Sequence, residues 1–501
     1  MENIDRHLAS SRDALLADFR ELLRIPSIST DPAHAGDVAA AARWVAARMD
    51  RAGLTAEVRE TGGHPLVLGR HHAGDDAPTV LVYAHYDVQP ADPLEEWSSP
   101  PFEPEVRDGI LYARGAADDK AQVILQIAAA EACLAEGGLP VNLILLFEGE
   151  EEVGSPALAT FLDNHADELA ADHVVIADSM MFAPDRPSLI FGTRGLAYLE
   201  VTVRVGDHDL HSGQYGGAVP NPAHLLAGMV SSLHDEGGRV AVDGFYDAVR
   251  DVSPELREEW AALGYDEEAF RRSAGGAPLV GEEGFSTPER LWIRPCLDVN
   301  GMISGYTGPG KKTVLPASAS AKVSCRLVPD QDPQRIAEFL RKHLETRAPA
   351  GVQVETRFHQ ANRPWRADPH GALYAAASEA LGDVWGVEPV RVAHGGTLPI
   401  AREFADVLTE SIAVMGFALP GANMHAPDAG SPGHGAAVAG AGRVGRPPEH
   451  LQAPGREQPS WPRRRRAPRA PDRTGPGSRR TRCTSGTGRC PTVRPRFLAG
   501  R

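Results

Sequence analysis

The stretch TVLVYAHYDVQP at residues 79–90, followed by LYARGAADDK at residues 111–120, decides how the rest of the chain is interpreted. Its apolar residues predict a buried β-strand that leads into His85 and Asp87. These two residues lie two positions apart, so their side chains point to the same side of an extended chain. Ligands bind at the carboxyl ends of strands in open parallel sheets, and Asp118 and Asp119 are therefore candidates for the same crevice. We predict that this crevice forms the floor of a metal site.

Three other apolar runs also end at residues that can bind metal ions: VNLILLF (residues 141–147) precedes EGEEEVGSP, HVVIA (173–177) precedes Asp178, and IAVMGF (412–417) precedes a loop that contains His425. A single acid after a strand is usually a solvated turn residue. Four such strands with helical patterns between them favour one shared site instead. Imidazole and carboxylate ligands suit Zn²⁺, with Mn²⁺ or Co²⁺ as alternatives.

The order of these patterns predicts an α/β fold with a mixed, mostly parallel sheet. Between residues 196 and 360 the pattern changes to alternating strands with helices between them, which indicates an inserted α+β domain. Ser253 and Pro254 begin a charged, mostly surface helix within this insertion. The predicted boundaries are residues 1–195 and 361–428 for the two parts of the first domain and residues 196–360 for the insertion.

Composition and charge exclude several classes of partner. The chain of 501 residues has no run of 18 apolar residues, and its first residues contain acids where a signal peptide needs a basic and then an apolar region. We therefore predict a cytoplasmic protein without a membrane partner. Residues 1–428 carry a net charge of −29, which disfavours nucleic acid. Five cysteines, an odd number without metal-type spacing, indicate reduced thiols.

Residues 429–501 differ from the rest of the chain, with 16 Arg, 12 Gly and 11 Pro. Such a segment cannot bury enough apolar surface to order itself, so we predict a disordered tail. RNA binding is one interpretation of the run WPRRRRAPR. We favour a shifted reading frame in a gene of high GC content, because the chain has 46 Arg against 5 Lys. Translation of the other two frames after the codon for Asp428 tests this hypothesis, which is wrong if neither encodes an amphipathic helix of about twenty residues.

Several separated motifs together resemble the M20 metallopeptidase family, in the branch of the cytosolic and carnosine dipeptidases: AHYDVQP, LYARGAADDK, EGEEEVGS, DLHSG, KTVLP, CRLVP, GGT and MHAPD. The resemblance covers about residues 10–428. It implies a catalytic domain of the zinc-exopeptidase type that binds two divalent metal ions. It also implies that the inserted domain is a lid that forms a homodimer. The chain departs from the family at Ala121, where the family has Gly, and after residue 428.

The resemblance implies a role for each candidate near the metals: His85 and Asp178 bind one ion, Glu152 and His425 bind the other, and Asp118 bridges both. Asp87 resembles the acid that orients His85. Glu151 resembles the general base that activates a water shared by the two ions and passes its proton to the leaving amine.

The resemblance also implies roles for residues that contact the substrate. His211 of DLHSG resembles the residue that reaches the active site of a dimer mate and stabilises the oxyanion. Arg326, Thr313, Asn300 and the loop residues Gly396 and Thr397 resemble groups that hold the carboxylate and carbonyl of the substrate. For Thr313 and Asn300, an ordinary strand or turn position is an equally good interpretation.

The reaction implied by the resemblance is hydrolysis of a dipeptide or short peptide with a free C-terminal carboxylate. Asp178 resembles the dipeptidase branch, whereas the carboxypeptidase branch carries Glu there. Two alternatives stay open. One is an N-acyl-amino-acid amidase or deacylase of the same superfamily, and the other is a metal-binding protein that lost its activity with its normal C-terminus.

Overall fold

A computed structural model of the protein describes residues 2–432. The strands are β1 Thr55–Arg59, β2 Leu66–His71, β3 Thr79–His85, β4 Glu105–Arg107, β5 Ile110–Tyr112, β6 Asn142–Glu148, β7 His173–Ile176, β8 Ser188–Thr193, β9 Gly195–Arg204, β10 Leu210–His211, β11 Cys296–Ser304, β12 Val314–Leu315, β13 Ser318–Leu327, β14 Gln353–Asn362, β15 Trp365–Arg366, β16 Val390–His394, β17 Ile412–Val414 and β18 Gly430–Pro432.

The α-helices are α1 Glu2–Leu23, α2 Ala35–Arg51, α3 Lys120–Ala135, α4 Leu158–His165, α5 Ser212–Tyr215, α6 Pro222–Ser231, α7 Pro254–Ala262, α8 Glu267–Ser273, α9 Thr287–Trp292, α10 Pro333–Glu345, α11 Ala372–Trp385 and α12 Pro399–Val407. No helix among the described residues is long and apolar enough to cross a membrane.

Within residues 2–432, nine strands form one mixed sheet in the order β1-β2-β6-β3-β7-β17-β8-β15, with β16 also paired to β8. The neighbours β6, β3, β7 and β17 run parallel, and antiparallel pairs flank them. The four parallel strands are the four apolar runs identified in the sequence. Their carboxyl ends meet at one edge, and the predicted α/β fold is confirmed.

Helix α3 follows Asp118 and Asp119 and lies between the sheet and α1, which explains why it is apolar on nearly all sides. Its first residue, Lys120, is wholly buried and donates from Nζ to the main-chain carbonyl oxygens of Leu22 (3.1 Å) and Ile25 (2.6 Å). Burial lowers the pKa of Lys120 to about 7. These bonds fix the start of α3, and with it the Asp pair, to the end of α1.

A second sheet has the antiparallel order β11-β13-β9-β14. Alternate residues of β9 are buried, as its sequence pattern predicts, and they pack with α6 and α10 in a hydrophobic core of their own. Asn221 caps α6 by accepting a hydrogen bond from the main-chain N–H of Ala223 (2.9 Å). The two largest hydrophobic cores within residues 2–432 therefore lie one beside each of these two sheets.

Part of the predicted insertion packs on the first core rather than the second. Helix α7, which its charges predict to lie mostly on the surface, buries Trp260 beside Phe191 and Trp292. The indole Nε1 of Trp260 donates to the main-chain carbonyl of Arg391 (2.8 Å). Trp260 is the large residue that α7 buries, and Leu256 packs partly buried against the same core, so these two residues attach the helix to the nine-stranded sheet.

The ordered chain continues past residue 428, where we place the start of the tail. Strand β18 pairs with β5, and β5 pairs with β4, in a small three-stranded sheet. Asp428 accepts hydrogen bonds from the main-chain N–H (3.1 Å) and the side-chain hydroxyl (2.6 Å) of Ser98. These contacts hold the segment that follows His425 to the first part of the chain. The predicted disorder of the tail concerns residues that lie outside residues 2–432.

Candidate metal centre

Five predicted ligands converge at the carboxyl edge of the parallel strands. His85, Asp118 and Asp178 form one group and Asp118, Glu152 and His425 a second, and the ligand atoms within each group lie within 4.8 Å of one another. Asp118 belongs to both groups. Its Oδ1 lies 3.0 Å from Nε2 of His85, and its Oδ2 lies 2.9 Å from Nε2 of His425. The peptide bond that joins Asp118 to Asp119 is cis.

Electrostatics of the cluster fit a bound cation. Burial, together with the neighbouring charge of Asp118, raises the pKa of Glu152 to about 7 and of Asp178 to about 6. Burial also raises the pKa of Asp118, but hydrogen bonds from His425 and His85 outweigh it and hold that pKa below its usual value. Carboxylates this close together repel one another. A divalent cation among them removes that repulsion, and imidazole and carboxylate are suitable ligands for it.

Asp87 connects the ligands with the loop that carries Glu151. It is fully buried, and its Oδ1 lies 3.3 Å from Nδ1 of His85. Its two carboxylate oxygens also accept hydrogen bonds from the main-chain N–H groups of Glu151 (3.2 Å) and Glu152 (3.1 Å). The carboxylate therefore lies against the imidazole and fixes the glutamate loop, and Nδ1 of His85 also lies 3.2 Å from the main-chain oxygen of Asp87.

Glu151 lies beside the cluster but belongs to neither group of ligand atoms. Burial is the main reason that its pKa lies well above the usual value for a glutamate, and the nearby carboxylates of Asp178 and Glu152 add to the effect. Glu151 and Asp178 also line a cavity of about 180 Å³ next to the cluster. A carboxylate in this position can exchange protons with a molecule in the cavity.

Two further acids of the EGEEEVGS motif support the loop, although we did not predict either role. Glu148 accepts hydrogen bonds from the hydroxyl groups of Tyr83 and of Ser155 (2.8 Å to Ser155), and burial raises its pKa to about 8. Glu150 accepts a hydrogen bond from the main-chain N–H of His64 (2.9 Å). Both residues are buried at or just after the end of β6. The only sequence feature that indicated a supporting role for them was the run of acids directly after an apolar strand.

Arg114 also supports the site, at the loop that carries His425, and we did not predict this role from the sequence. Its side chain is buried, with 1% of the residue exposed, and burial lowers its pKa. The guanidinium donates to the main-chain carbonyl of Met424, next to His425, and to that of Pro90 (3.1 Å). An arginine next to the small residues GAA in LYARGAADDK was a weak signal that it is held inside.

Of the predicted substrate-binding residues, the structure brings Arg326 and Thr397 together. Nη1 of Arg326 donates to Oγ1 of Thr397 (2.8 Å), and Thr397 lines the cavity beside the cluster. Gly396 precedes Thr397 in the same loop. Arg194 supports this loop by donating from Nε to the main-chain carbonyl of Gly395 (2.8 Å), and His394 also lines the cavity. Neither Arg194 nor His394 was predicted.

Three other predicted residues do not line this cavity. His211 and Thr313 are both exposed: His211 ends β10, and Thr313 immediately precedes β12, where its main-chain carbonyl accepts a hydrogen bond from the main-chain N–H of Ser212 (3.1 Å). Asn300 is exposed at an irregularity of β11. Within one chain these residues stay outside the cavity beside the cluster.

A family model, a curated relative and two solved structures all compare this chain with peptidases and dipeptidases. A model of peptidase family M20/M25/M40 matches residues 81–432. A cysteinylglycine-S-conjugate dipeptidase from Corynebacterium striatum is 31% identical over 437 residues, which cover 84% of this chain and 92% of the relative. The structure of human carnosine dipeptidase 1 superposes with a TM-score of 0.72 at 28% identity, covering 89% of this chain and 97% of that one. An M20 family metallo-carboxypeptidase from Sulfolobus solfataricus gives a TM-score of 0.75 at 32% identity, with 86% and 98% covered.

The contacts of Arg114 generate a prediction about metal affinity. We expect Arg114→Gln to weaken metal binding by about 10–100-fold, because the loop that carries His425 loses its buried anchor while every ligand remains. Titration of the metal-free protein against a chromogenic chelator measures the change. Arg24→Gln, which alters an exposed arginine, should bind metal like the unchanged protein. Equal affinity of the Arg114 variant and the unchanged protein would show that the loop needs no such anchor.

Proposed function

The chain belongs to peptidase family M20/M25/M40, and on that basis we propose that it hydrolyses dipeptides or short peptides with the help of bound metal ions. Relatives and structural neighbours that are named as dipeptidases support this proposal. The observation that carries it is the arrangement of the site. Two groups of metal ligands share Asp118, and Glu151 stands beside them as a carboxylate that belongs to neither group.

The proposed cofactor is a pair of divalent metal ions, with Zn²⁺ as the first choice and Mn²⁺ or Co²⁺ as alternatives. His85 and Asp178 would hold one ion and Glu152 and His425 the other, with one oxygen of Asp118 toward each. When bound, such a pair lowers the pKa of water toward neutrality and polarises the carbonyl group of a substrate. Asp87 would keep His85 in the orientation that the first ion needs.

Glu151 would move the proton during the reaction. Its carboxylate takes a proton from the water that attacks the peptide carbonyl carbon, and it then gives this proton to the leaving amine as the C–N bond breaks. A raised pKa suits this role, because the group must accept and release a proton near neutral pH. The main-chain N–H of Glu151 donates to Asp87, which fixes the position of the base relative to the ligands.

Arg326 and the loop residues Gly396 and Thr397 would recognise the carboxylate of the substrate. A guanidinium binds a carboxylate through two parallel hydrogen bonds, which is a geometry that a lysine cannot reproduce. The hydrogen bond from Arg326 to Thr397 leaves other donors of the guanidinium for a ligand. We therefore propose a substrate with a free C-terminal carboxylate.

A homodimer through the second sheet would complete the site. Strand β11 lies at the edge of that sheet and exposes large apolar side chains, including Met302 and Ile303, the latter 61% exposed. An exposed apolar edge strand is a surface that another strand can cover. In such a dimer, we propose that His211 of one subunit enters the cavity of the other and stabilises the oxyanion, with Thr313 and Asn300 nearby.

We propose the same domain boundaries that the sequence predicts. Residues 1–195 and 361–428 would form the catalytic domain and residues 196–360 the lid, apart from the helices that pack on the first core. The acidic body of the chain supports a small peptide as partner rather than nucleic acid.

The role of Glu151 generates the central prediction. Glu151→Gln should lower kcat on dipeptides by about 10²–10⁴-fold, because an amide cannot accept the proton, while metal binding is retained. Initial rates with added Zn²⁺ or Mn²⁺ and the metal content of the purified protein measure the two effects. Glu152→Gln should lose metal and activity together, and Glu103→Gln, an exposed acid, should change neither.

The substrate panel for this experiment separates the alternatives. It contains dipeptides, longer peptides and N-acyl amino acids. Cleavage of N-acyl amino acids alone would identify an amidase or deacylase. A protein that binds its metals but turns over none of the panel would be a metal-binding protein without activity. An undiminished rate for Glu151→Gln would remove this residue from the mechanism.

The proposed contribution of His211 to a partner subunit generates a complementation test. His211→Ala and Glu151→Gln should each be nearly inactive alone, and mixing them with subunit exchange should restore intact sites in about a quarter of the subunits. In a control mixture of Glu151→Gln and Glu152→Gln, the site of every subunit carries a change of its own, so subunit exchange should restore nothing. If mixed dimers form by native mass spectrometry without recovered activity, His211 does not act across the interface.

A further inference from the structure

The cavity beside the metal ligands also reaches the residue proposed to hold the carboxylate of the substrate. Asp118, Glu151 and Asp178 line one part of it, and Thr397, which accepts a hydrogen bond from Arg326, lines another. In a peptide, the C-terminal residue joins the carboxylate directly to the last peptide group. A substrate with that peptide group at the metal ligands and its carboxylate at Thr397 therefore places its C-terminal residue inside this cavity.

Apolar side chains form the wall that this residue would meet. Four of them line the cavity: Met180, Ile190, Leu398 and Met424. Ile190 (3% exposed) and Leu398 (8% exposed) belong to the core of the nine-stranded sheet and form the rigid part of the wall. Met180 and Met424 are half-buried and pack against a small cluster of buried alanines. Thioether side chains are flexible and polarisable, so this part of the wall can fit apolar groups of different shapes.

The cavity has no ionic partner for a charged side chain apart from the metal ligands and Glu151. Within residues 2–432, its other polar lining residues are Ser179, Thr193, His394 and Thr397. Three of these carry hydroxyl groups, and a histidine is mostly neutral at pH 7. An acidic or basic side chain placed here would lose part of its hydration without gaining a partner of opposite charge.

We propose that the C-terminal residue of the substrate carries an uncharged aliphatic side chain, such as that of leucine, which packs against Met180 and Ile190. The proposal rests on the proposed function, which assigns the substrate carboxylate to Thr397. The size agrees, because the four carbon atoms of this side chain are fewer than the six of benzene, which a cavity of roughly 150 Å³ holds. The cavity here has about 180 Å³ and opens to solvent, so the rest of the peptide can extend outward.

Hydrolysis of Ala-Leu, Ala-Gly, Ala-Asp and Ala-Lys by the metal-loaded protein tests the proposal without any variant. The kcat/KM for Ala-Leu should exceed that for each of the other three at least about tenfold, because only leucine gains from the apolar wall. The proposal is overturned if Ala-Gly is cleaved as efficiently as Ala-Leu, or if Ala-Asp or Ala-Lys is the better substrate.

A variant of the wall provides a second test. Met180→Ala should reduce the ratio of kcat/KM for Ala-Leu to that for Ala-Gly at least about threefold, because it removes apolar contact with leucine alone. The main chain here is fixed separately, since the hydroxyl of Ser188 donates to the carbonyl of Met180 (2.7 Å) and the N–H of Met181 donates to the carbonyl of Ala418 (2.8 Å). Metal content and thermal melting confirm that the site and the fold are retained.

The matched control is Val280→Ala, which shortens an apolar side chain that is 80% exposed and outside the cavity. It should leave the ratio unchanged. An unchanged ratio in a folded, metal-loaded Met180→Ala protein would overturn the assignment of this wall to the substrate side chain.

Failure of the proposed function gives a different result from failure of this inference. A protein that cleaves only N-acyl amino acids still holds the amino acid at the same place, so it should prefer N-acetyl-leucine over N-acetyl-glycine at least about tenfold. If neither class is cleaved, the proposed function fails, and calorimetric titration of the metal-loaded Glu151→Gln variant with Ala-Leu and Ala-Gly decides the inference. Binding of Ala-Leu at least about tenfold more tightly supports it, and equal affinity or no binding heat overturns it.

Discussion

The concentration of buried carboxylates around Asp118 is the constraint on which the rest of the structure depends. Burial without a partner makes an ionised carboxylate unfavourable, and mutual repulsion adds to that cost. The raised pKa values of Glu152 and Asp178 express both effects. A bound cation changes repulsive neighbours into ligands of the same ion. The parallel strands end at this edge of the sheet, and buried contacts fix the loops that follow them: Asp87 accepts a hydrogen bond from the main-chain N–H of Glu152, and Arg114 donates to the main-chain carbonyl of Met424.

Asp87 shows why the ligands and the base cannot be treated as separate parts. Its carboxylate contacts His85 on one side and the main-chain N–H groups of Glu151 and Glu152 on the other. A shift of this single buried group would move a ligand from each half of the cluster together with the candidate base. His85 and Asp87 are two positions apart in the sequence, so an extended chain alone places them side by side. The contact of Asp87 with the glutamate loop also requires the neighbouring strand β6, which leads into that loop. The same short motif therefore fixes the positions of two candidate ligands and of the candidate base.

Residues that end a strand could be predicted from the sequence, whereas residues that support them across the fold could not. His85, Asp178 and His425 follow apolar runs, and a parallel sheet brings the ends of such runs together. Arg114 gives no comparable signal, because its partner at Met424 lies 310 positions away in the sequence. Trp260 was missed for a related reason, since one buried residue on a charged helix barely changes the pattern of that helix. Local periodicity describes which face is apolar, and it does not identify which of two cores that face will join.

The two sheets contribute different residues to the candidate site. Every candidate metal ligand belongs to the nine-stranded sheet and its loops, but Arg326 extends from β13 of the second sheet to meet Thr397. If Arg326 binds the substrate carboxylate as proposed, that contact would depend on how the second sheet is placed, whereas the metal ligands would not. That placement is fixed where the chain crosses between the cores, at positions close to Gly192 and Arg366. A change at the crossings would alter substrate binding before it altered the metal ligands, so affinity for substrate and affinity for metal are separable properties of this fold.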